Sequence, residues 1–242
     1  MIVDGKNLTN KYKGKIRFGQ QTIQPRKINV YTEWTEHRSE PFQPFLPELQ
    51  FFDVSIEMII SEKTKTEAEL LISNIIKEFA NGRVIRLDDM DISISAEITG
   101  LEKEFIKRWT YKVIVTMQGW DKSTDQVTVT MDSTVQTITV GGNQSTPCII
   151  EITASVDMAS VELTGMAYNQ ISGEKESITI KNLKAGKKVV INGEDCTVLQ
   201  EGVNKFADTE IWEFPVLKPG RNIVSCSSDK CTVTLKYKPR YV

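Results

Sequence analysis

Residues 51–60, FFDVSIEMII, set the pattern for the first half of the chain: Phe52, Val54, Ile56, Met58 and Ile60 alternate with Asp53, Ser55 and Glu57. A period of two places one set of side chains on a buried face, so a strand is predicted here. The stretch before it, EPFQPFLPELQ at 40–50, holds three prolines, which exclude a regular helix or a central strand. That stretch also carries Phe42, Phe45 and Leu46. Apolar residues on an irregular segment either tuck back onto their own domain or form an interface. One helix is predicted at about 66–80, in TEAELLISNIIKEFANG. Thr66 and Glu69 have the spacing of a capping box. Ala68, Leu71, Ile72, Ile75, Ile76 and Phe79 form a single apolar stripe, and Asn81-Gly82 reads as a left-handed stop. A helix with one stripe packs on one sheet. Strand patterns then resume at 83–87 (RVIRL), at 91–100 with Ile92, Ile94, Ala96 and Ile98, and at 105–120. The last reads as one long strand with Trp109, Tyr111, Val113, Val115 and Met117 on one face.

At Trp120-Asp121 the pattern changes to short Thr/Val alternations with regularly spaced turns and no helical period, the signal of a β-sandwich. Explicit turns fall at Gly141-Gly142-Asn143, at 182–186 and at Asn192-Gly193, where a type I′ hairpin is predicted. Lys218-Pro219-Gly220-Arg221 has the residues of a type II turn. In TEIWEFPV, Trp212, Phe214 and Val216 share one parity, which reads as a core-facing row. The expected fold is mainly β: a β-rich domain with one α-helix over 1–120, and a β-sandwich over 121–242.

Composition changes this picture little. The chain has 242 residues, 40% hydrophobic and 26% charged, with a formal net charge of −2, so no global charge draws it to nucleic acid or an anionic membrane. No apolar run approaches the roughly 20 residues of a membrane span, and the first residues lack the features of a signal peptide. Synthesis and folding in a cytoplasm are expected. The local charge is uneven: residues 5–30 carry seven basic side chains and no acidic one, whereas 31–57 carry six acids against Arg38. These are either two solvated faces or two complementary edges.

Candidate chemistry is sparse. The four cysteines lack the two close pairs of a zinc site. Cys226 and Cys231 flank Ser-Ser-Asp-Lys, a predicted hairpin turn across which a disulfide or, preferably in a cytoplasm, two thiols would face each other. Cys148 and Cys196 read as small buried apolar residues. The single histidine, His37, has no nucleophile elbow to serve. Asp88, Asp89 and Asp91 lack the glycine and distant glutamate of a calcium loop, and Gly141-Gly142 leads to Pro147 instead of a helix. No enzyme, cofactor or metal is expected. A glycan platform built on Trp212 is the alternative function, since β-sandwiches bind sugars through exposed aromatics.

The C-terminal stretch resembles the end of siphophage distal tail proteins. Asn192-Gly193, Phe214-Pro215, Leu217 to Asn222 and Tyr237 to Arg240 follow one another in that family's order, and MIVDGKNLT is similar to its opening strand. The resemblance implies an N-terminal belt domain that assembles into a homo-hexameric ring, single or stacked, and a galectin-like C-terminal β-sandwich. It implies a structural component of a bacteriophage virion: the hub of the tail tip, joining the tail tube of major tail protein to a tail-associated fibre or lysin protein. DNA would pass through its channel without specific binding, and no part would insert in a membrane. Two departures matter: 242 residues leave no room for an inserted carbohydrate-binding module, and no histidine beyond His37 exists for a galectin sugar signature. A ring needs two different complementary patches per subunit. Lys11, Lys13 and Lys15 are therefore expected to approach the acidic stretch of a neighbour, with Trp34, Phe42, Phe45 and Leu46 at the same oligomer interface.

Overall fold

A computed structural model describes residues 1–30, 48–82, 84–169 and 173–242. The chain divides into two compact units, Met1–Lys122 and Ser123–Val242. In the first, strands order across one sheet as Lys6–Asn7, Ile2–Val3, Val84–Arg86, Ser93–Lys107, Thr110–Ser123, Phe52–Ser61 and Ile16–Ile23. The alternation in 51–60 sets the register. Val54 stands opposite Met117, Ile56 opposite Val115, Met58 opposite Val113 and Ile60 opposite Tyr111, all on the buried face. Such apolar cross-strand pairs are the stabilising unit of a sheet. At the end of this ladder Phe52 faces Gly119, where a Cβ would lie 2.6 Å from the Phe52 ring. The glycine leaves room for the ring.

The helix runs Lys65–Asn81 and buries Ala68, Leu71, Ile72, Ile75 and Phe79, with Ile76 half-buried at the margin. Its cap lies two residues before the predicted one. Thr64 Oγ1 accepts from the Glu67 amide at 3.2 Å, and Glu67 Oε2 accepts from the Thr64 amide at 3.1 Å. The Thr-x-x-Glu spacing occurs twice in succession, and the earlier copy places Thr66 inside the first turn. Glu69 instead receives Lys103 Nζ at 2.9 Å. The helix end also differs from expectation: Gly82 is extended (φ −89°, ψ 128°), not left-handed. Glycine is required there for space, because a Cβ would lie 2.3 Å from Val3 Cγ1.

The predicted single strand at 105–120 is two strands. Ser93–Lys107 and Thr110–Ser123 form a long hairpin that reverses at Arg108-Trp109, with Trp109 at φ 54°. Trp109 leaves the strand row and packs, half-buried, at the margin of the core. No glycine or proline marks the reversal, so turn chemistry gives no warning.

The second unit is a β-sandwich of antiparallel sheets. One runs Val127–Thr130, Cys231–Tyr237, Thr146–Ala154, Lys188–Asn192, Thr197–Gln200 and Val203–Asn204. The other runs Val135–Val140, Gly220–Cys226, Met158–Tyr168, Lys175–Leu183 and Thr209–Glu210. Ile150, Ile152, Val189, Ile191 and Leu235 from the first meet Leu163, Ile178, Ile180 and Val224 from the second in one core. The connection at Asn192-Gly193 is not a two-residue turn. Asn192 pairs with Thr197, which leaves a four-residue loop closed by Asn192 Oδ1 accepting from the amides of Glu194 (2.9 Å) and Asp195 (3.3 Å). The left-handed residue is Cys196 (φ 53°), whose side chain is exposed, not buried as expected. The Ser-Ser-Asp-Lys segment is no hairpin within a sheet either: Cys226 ends a strand of one sheet and Cys231 begins a strand of the other.

Candidate functional site

Asp88 and Asp89, weighed as cation ligands, take structural roles. Asp88 Oδ2 accepts from Gln21 Nε2 at 2.9 Å while its amide donates to Gln21 Oε1 at 3.0 Å, a reciprocal pair that ties the 88–89 turn to the edge strand. Asp89 holds the left-handed position of that turn (φ 61°). Among the described residues, no three His, Cys, Asp or Glu side chains are placed to hold a metal ion. His37 lies outside the described residues.

The expected oligomer interface is divided. Lys11 closes a one-turn helix, Leu8–Lys11, and pairs with Glu78 of the long helix; Lys6 reaches the same carboxylate at 3.3 Å. The Glu78 carboxylate holds the Lys11 ammonium above its ordinary value, and the two lysines hold Glu78 below its own. Lys15 Nζ lies 2.7 Å from Glu62. Two of the three lysines are therefore engaged within their own unit, in exposed pairs that solvent screens. Lys13 is exposed and makes no ion pair with the described residues. Trp34, Phe42, Phe45 and Leu46 fall outside the described residues.

A second surface escaped the sequence reading. The Val84–Arg86 strand pairs with the long hairpin only from Ser93 to Ser95. Beyond that point, among the described residues, the outer edge of the 96–107 segment has no partner strand. Leu101 (37% exposed), Phe105 (58%) and Ile106 (46%) lie along this segment, and Leu70 (60%) stands on the outer side of the helix. Phe105 meets Tyr111 edge-on, with ring centroids 5.7 Å apart. Glu102, Lys103, Glu104 and Lys107 are interleaved with these apolar residues, as charges commonly are on edges that must not pair indiscriminately. The signal was present in LEKEFIK, where apolar residues are mixed with charges and the period-two buried row of the neighbouring strand is missing.

In the sandwich, Trp212, Phe214 and Val216 do not share a core-facing row. Trp212 sits in a bend and is 87% exposed, because regular strand begins only at Val216, after Pro215. Phe214 is half-buried and stacks on Phe206, with centroids 6.2 Å and planes 18° apart. Two shallow cavities adjoin Phe214: one of about 340 Å3 beside Tyr168, Glu213 and Lys218, and one of about 370 Å3 beside Val198, Leu199 and Phe206. The neighbouring corner is tied by one side chain. Asn222 Oδ1 accepts from the Lys218 amide at 3.1 Å, and Nδ2 donates to the carbonyls of Lys218 (2.7 Å) and Gly220 (3.1 Å). Gly220 has φ 85°, the left-handed position that a type II turn demands. Lys218 Nζ rests over the Tyr168 ring at 4.0 Å.

Comparison with known proteins agrees with this architecture. Residues 141–241 match the sequence model of the SPP1 Dit family, described as siphovirus-type tail component, C-terminal domain. No curated protein sequence matches the chain. Among solved structures, the Dit protein (gp 19.1) of phage SPP1, described as a paradigm of the hub adsorption apparatus in phages infecting Gram-positive hosts, superimposes with a TM-score of 0.80. The sequence identity is 10%, and the match covers 100% of this chain and 98% of that one. A chain of the phage P2 baseplate in its activated conformation matches with a TM-score of 0.50 at 9% identity, covering 94% of this chain and 91% of that one. Residues 141–241 thus match a siphovirus-type tail component C-terminal domain, and the fold of the chain is like that of the SPP1 Dit protein.

Proposed function

We propose that this chain is a structural subunit of a phage tail tip or baseplate, which assembles through its first unit into a hexameric ring. The ring joins the major tail tube protein above to a tail-associated fibre or lysin protein below, leaves a channel for DNA, and resides in the virion tail. The second unit is a galectin-like sandwich on this reading. The observation that carries it is the coincidence of a tail component domain at 141–241 with an apolar-studded sheet edge in the first unit that has no partner strand among the described residues. Head-to-tail contacts in a ring join two different surfaces of each subunit, and this edge supplies one of them. The exposed Lys13, which has no ion pair among the described residues, is the one of the three expected interface lysines available for the other surface.

The test is the mass of the purified protein by light scattering together with negative-stain microscopy. A six-fold ring with an open centre is expected. Phe105→Glu should reduce the fraction assembled at a given concentration, and Lys13→Glu should do the same without disturbing the Lys11 and Lys15 pairs. If both variants assemble as the parent does, these surfaces are not the contacts. A second reading, glycan binding by the sandwich, is favoured by one observation, the 87% exposure of Trp212. Retention on cell-wall polysaccharide that disappears in Trp212→Ala would support it.

A further inference from the structure

Cys226 and Cys231 stand at the point where the chain crosses from one sheet of the sandwich to the other. Cys226 is 4% exposed and its Sγ donates to the Ser228 carbonyl at 3.4 Å. Cys231 is half-buried, lies in hydrogen-bond contact with the Cys226 thiol, and its Sγ is 3.5 Å from Met158 Sδ. Four residues separate the two cysteines, which holds them together in every folded molecule. A groove of about 240 Å3, lined by Met131, Asp132, Thr134, Asp229 and both cysteines, gives a small reagent access to this point. Burial, then the neighbouring Cys226, pushes the Cys231 thiol up to about 11, so Cys231 is held as a thiol at neutral pH. The other two cysteines are unlike it. Cys148 is fully buried and pushed to about 12 by burial, and Cys196 is exposed on a different loop.

We propose that Cys226 and Cys231 form a cross-linking site, which an external low-molecular-weight disulfide oxidises to an intramolecular disulfide joining the two sheets. Cys231, the more accessible, loses its proton and attacks one sulfur of the external disulfide. The external S–S bond breaks, and the first leaving thiolate takes up that proton. Cys226 then loses its proton and attacks the Cys231 sulfur of the mixed disulfide, and the second leaving thiolate is protonated in turn. Two electrons pass from the cysteine sulfurs to the external disulfide, which ends as two thiols. The chemistry belongs to the sandwich and does not depend on the tail reading.

The test uses the full chain carrying Cys196→Ser, so that the exposed thiol does not react. The folded protein is incubated with oxidised glutathione, quenched with acid, denatured and alkylated. Intact mass and peptide mapping are then read. The expected product is two hydrogens lighter, with alkylation at Cys148 alone and one cross-linked peptide containing Cys226 and Cys231. Adding Cys226→Ser should stop the reaction at a glutathione adduct on Cys231. Full alkylation of Cys226 and Cys231 after incubation overturns the proposal. So does an adduct that persists on Cys231 while Cys226 is present.

Discussion

A methyl group added at Gly193 would meet the Pro215 carbonyl oxygen at 2.1 Å and that of Cys148 at 2.9 Å, whereas one added at Gly220 would meet nothing within 4 Å. Gly220 is a glycine for its torsion angle, Gly193 for crowding by backbone from two other segments. Gly220→Ala should cost about 1–2 kcal/mol, the strain of a left-handed residue with a Cβ. Gly193→Ala should cost more, about 3 kcal/mol, because backbone has to move. Urea midpoints of the two variants measure the difference, and equal midpoints would refute the distinction. Asn222→Ala removes a buried side chain that satisfies one amide and two carbonyls, and should cost about 1–3 kcal/mol. The Lys-Pro-Gly-Arg corner was legible in the sequence because proline and glycine fix it locally. The reason for Gly193 was not, since its neighbours come from Cys148 and Pro215, distant in the chain. Trp212 was misread for a related reason: parity predicts a face only inside a strand, and Pro215 delays the strand past it.

At the level of elements, Thr64→Ala should destabilise the protein by about 1 kcal/mol, the worth of a lost N-cap, whereas Thr66→Ala, exposed within the first turn, should change it by less than about 0.5 kcal/mol. Thermal unfolding of the pair locates the cap. The strand Thr146–Ala154 carries a charge ladder. Glu151 lies 2.6 Å from Lys236 on one neighbouring strand and 3.1 Å from Lys188 on the other. The Lys236 hydrogen bond, outweighing burial and helped by Lys188, holds the Glu151 carboxyl below its ordinary value of 4.5. A depressed carboxyl adds stability above its unfolded value and loses it as pH falls through the folded one. Unfolding measured from pH 6 downward should therefore show a loss of stability below about 4.5 that Glu151→Gln flattens. Alternation and the apolar stripe revealed the strands and the helix well, because burial imposes a period on each. The long hairpin was hidden, since Arg108-Trp109 reverses the chain without a turn residue, and with it the edge that has no partner strand among the described residues.

At the scale of the molecule, each unit has a core cluster of its own, and among the described residues the two clusters share no member. Residues 123–242 expressed alone should fold cooperatively, which a single sharp thermal transition in circular dichroism would register; a gradual melt would count against it. The two-part plan was visible as a change of texture near Trp120, where helix-bearing pattern gives way to short strands. The proposed assembly surface was not, because its expected aromatic members lie outside the described residues and two of its lysines are neutralised at home by Glu78 and Glu62. The separation of the cores has a consequence for inheritance. A crossover between Lys122 and Ser123 exchanges one unit while every core contact in the other is retained. A chimera that exchanges one unit at this joint should therefore keep the thermal transition of the unit it retains, and loss of that transition would count against independent cores.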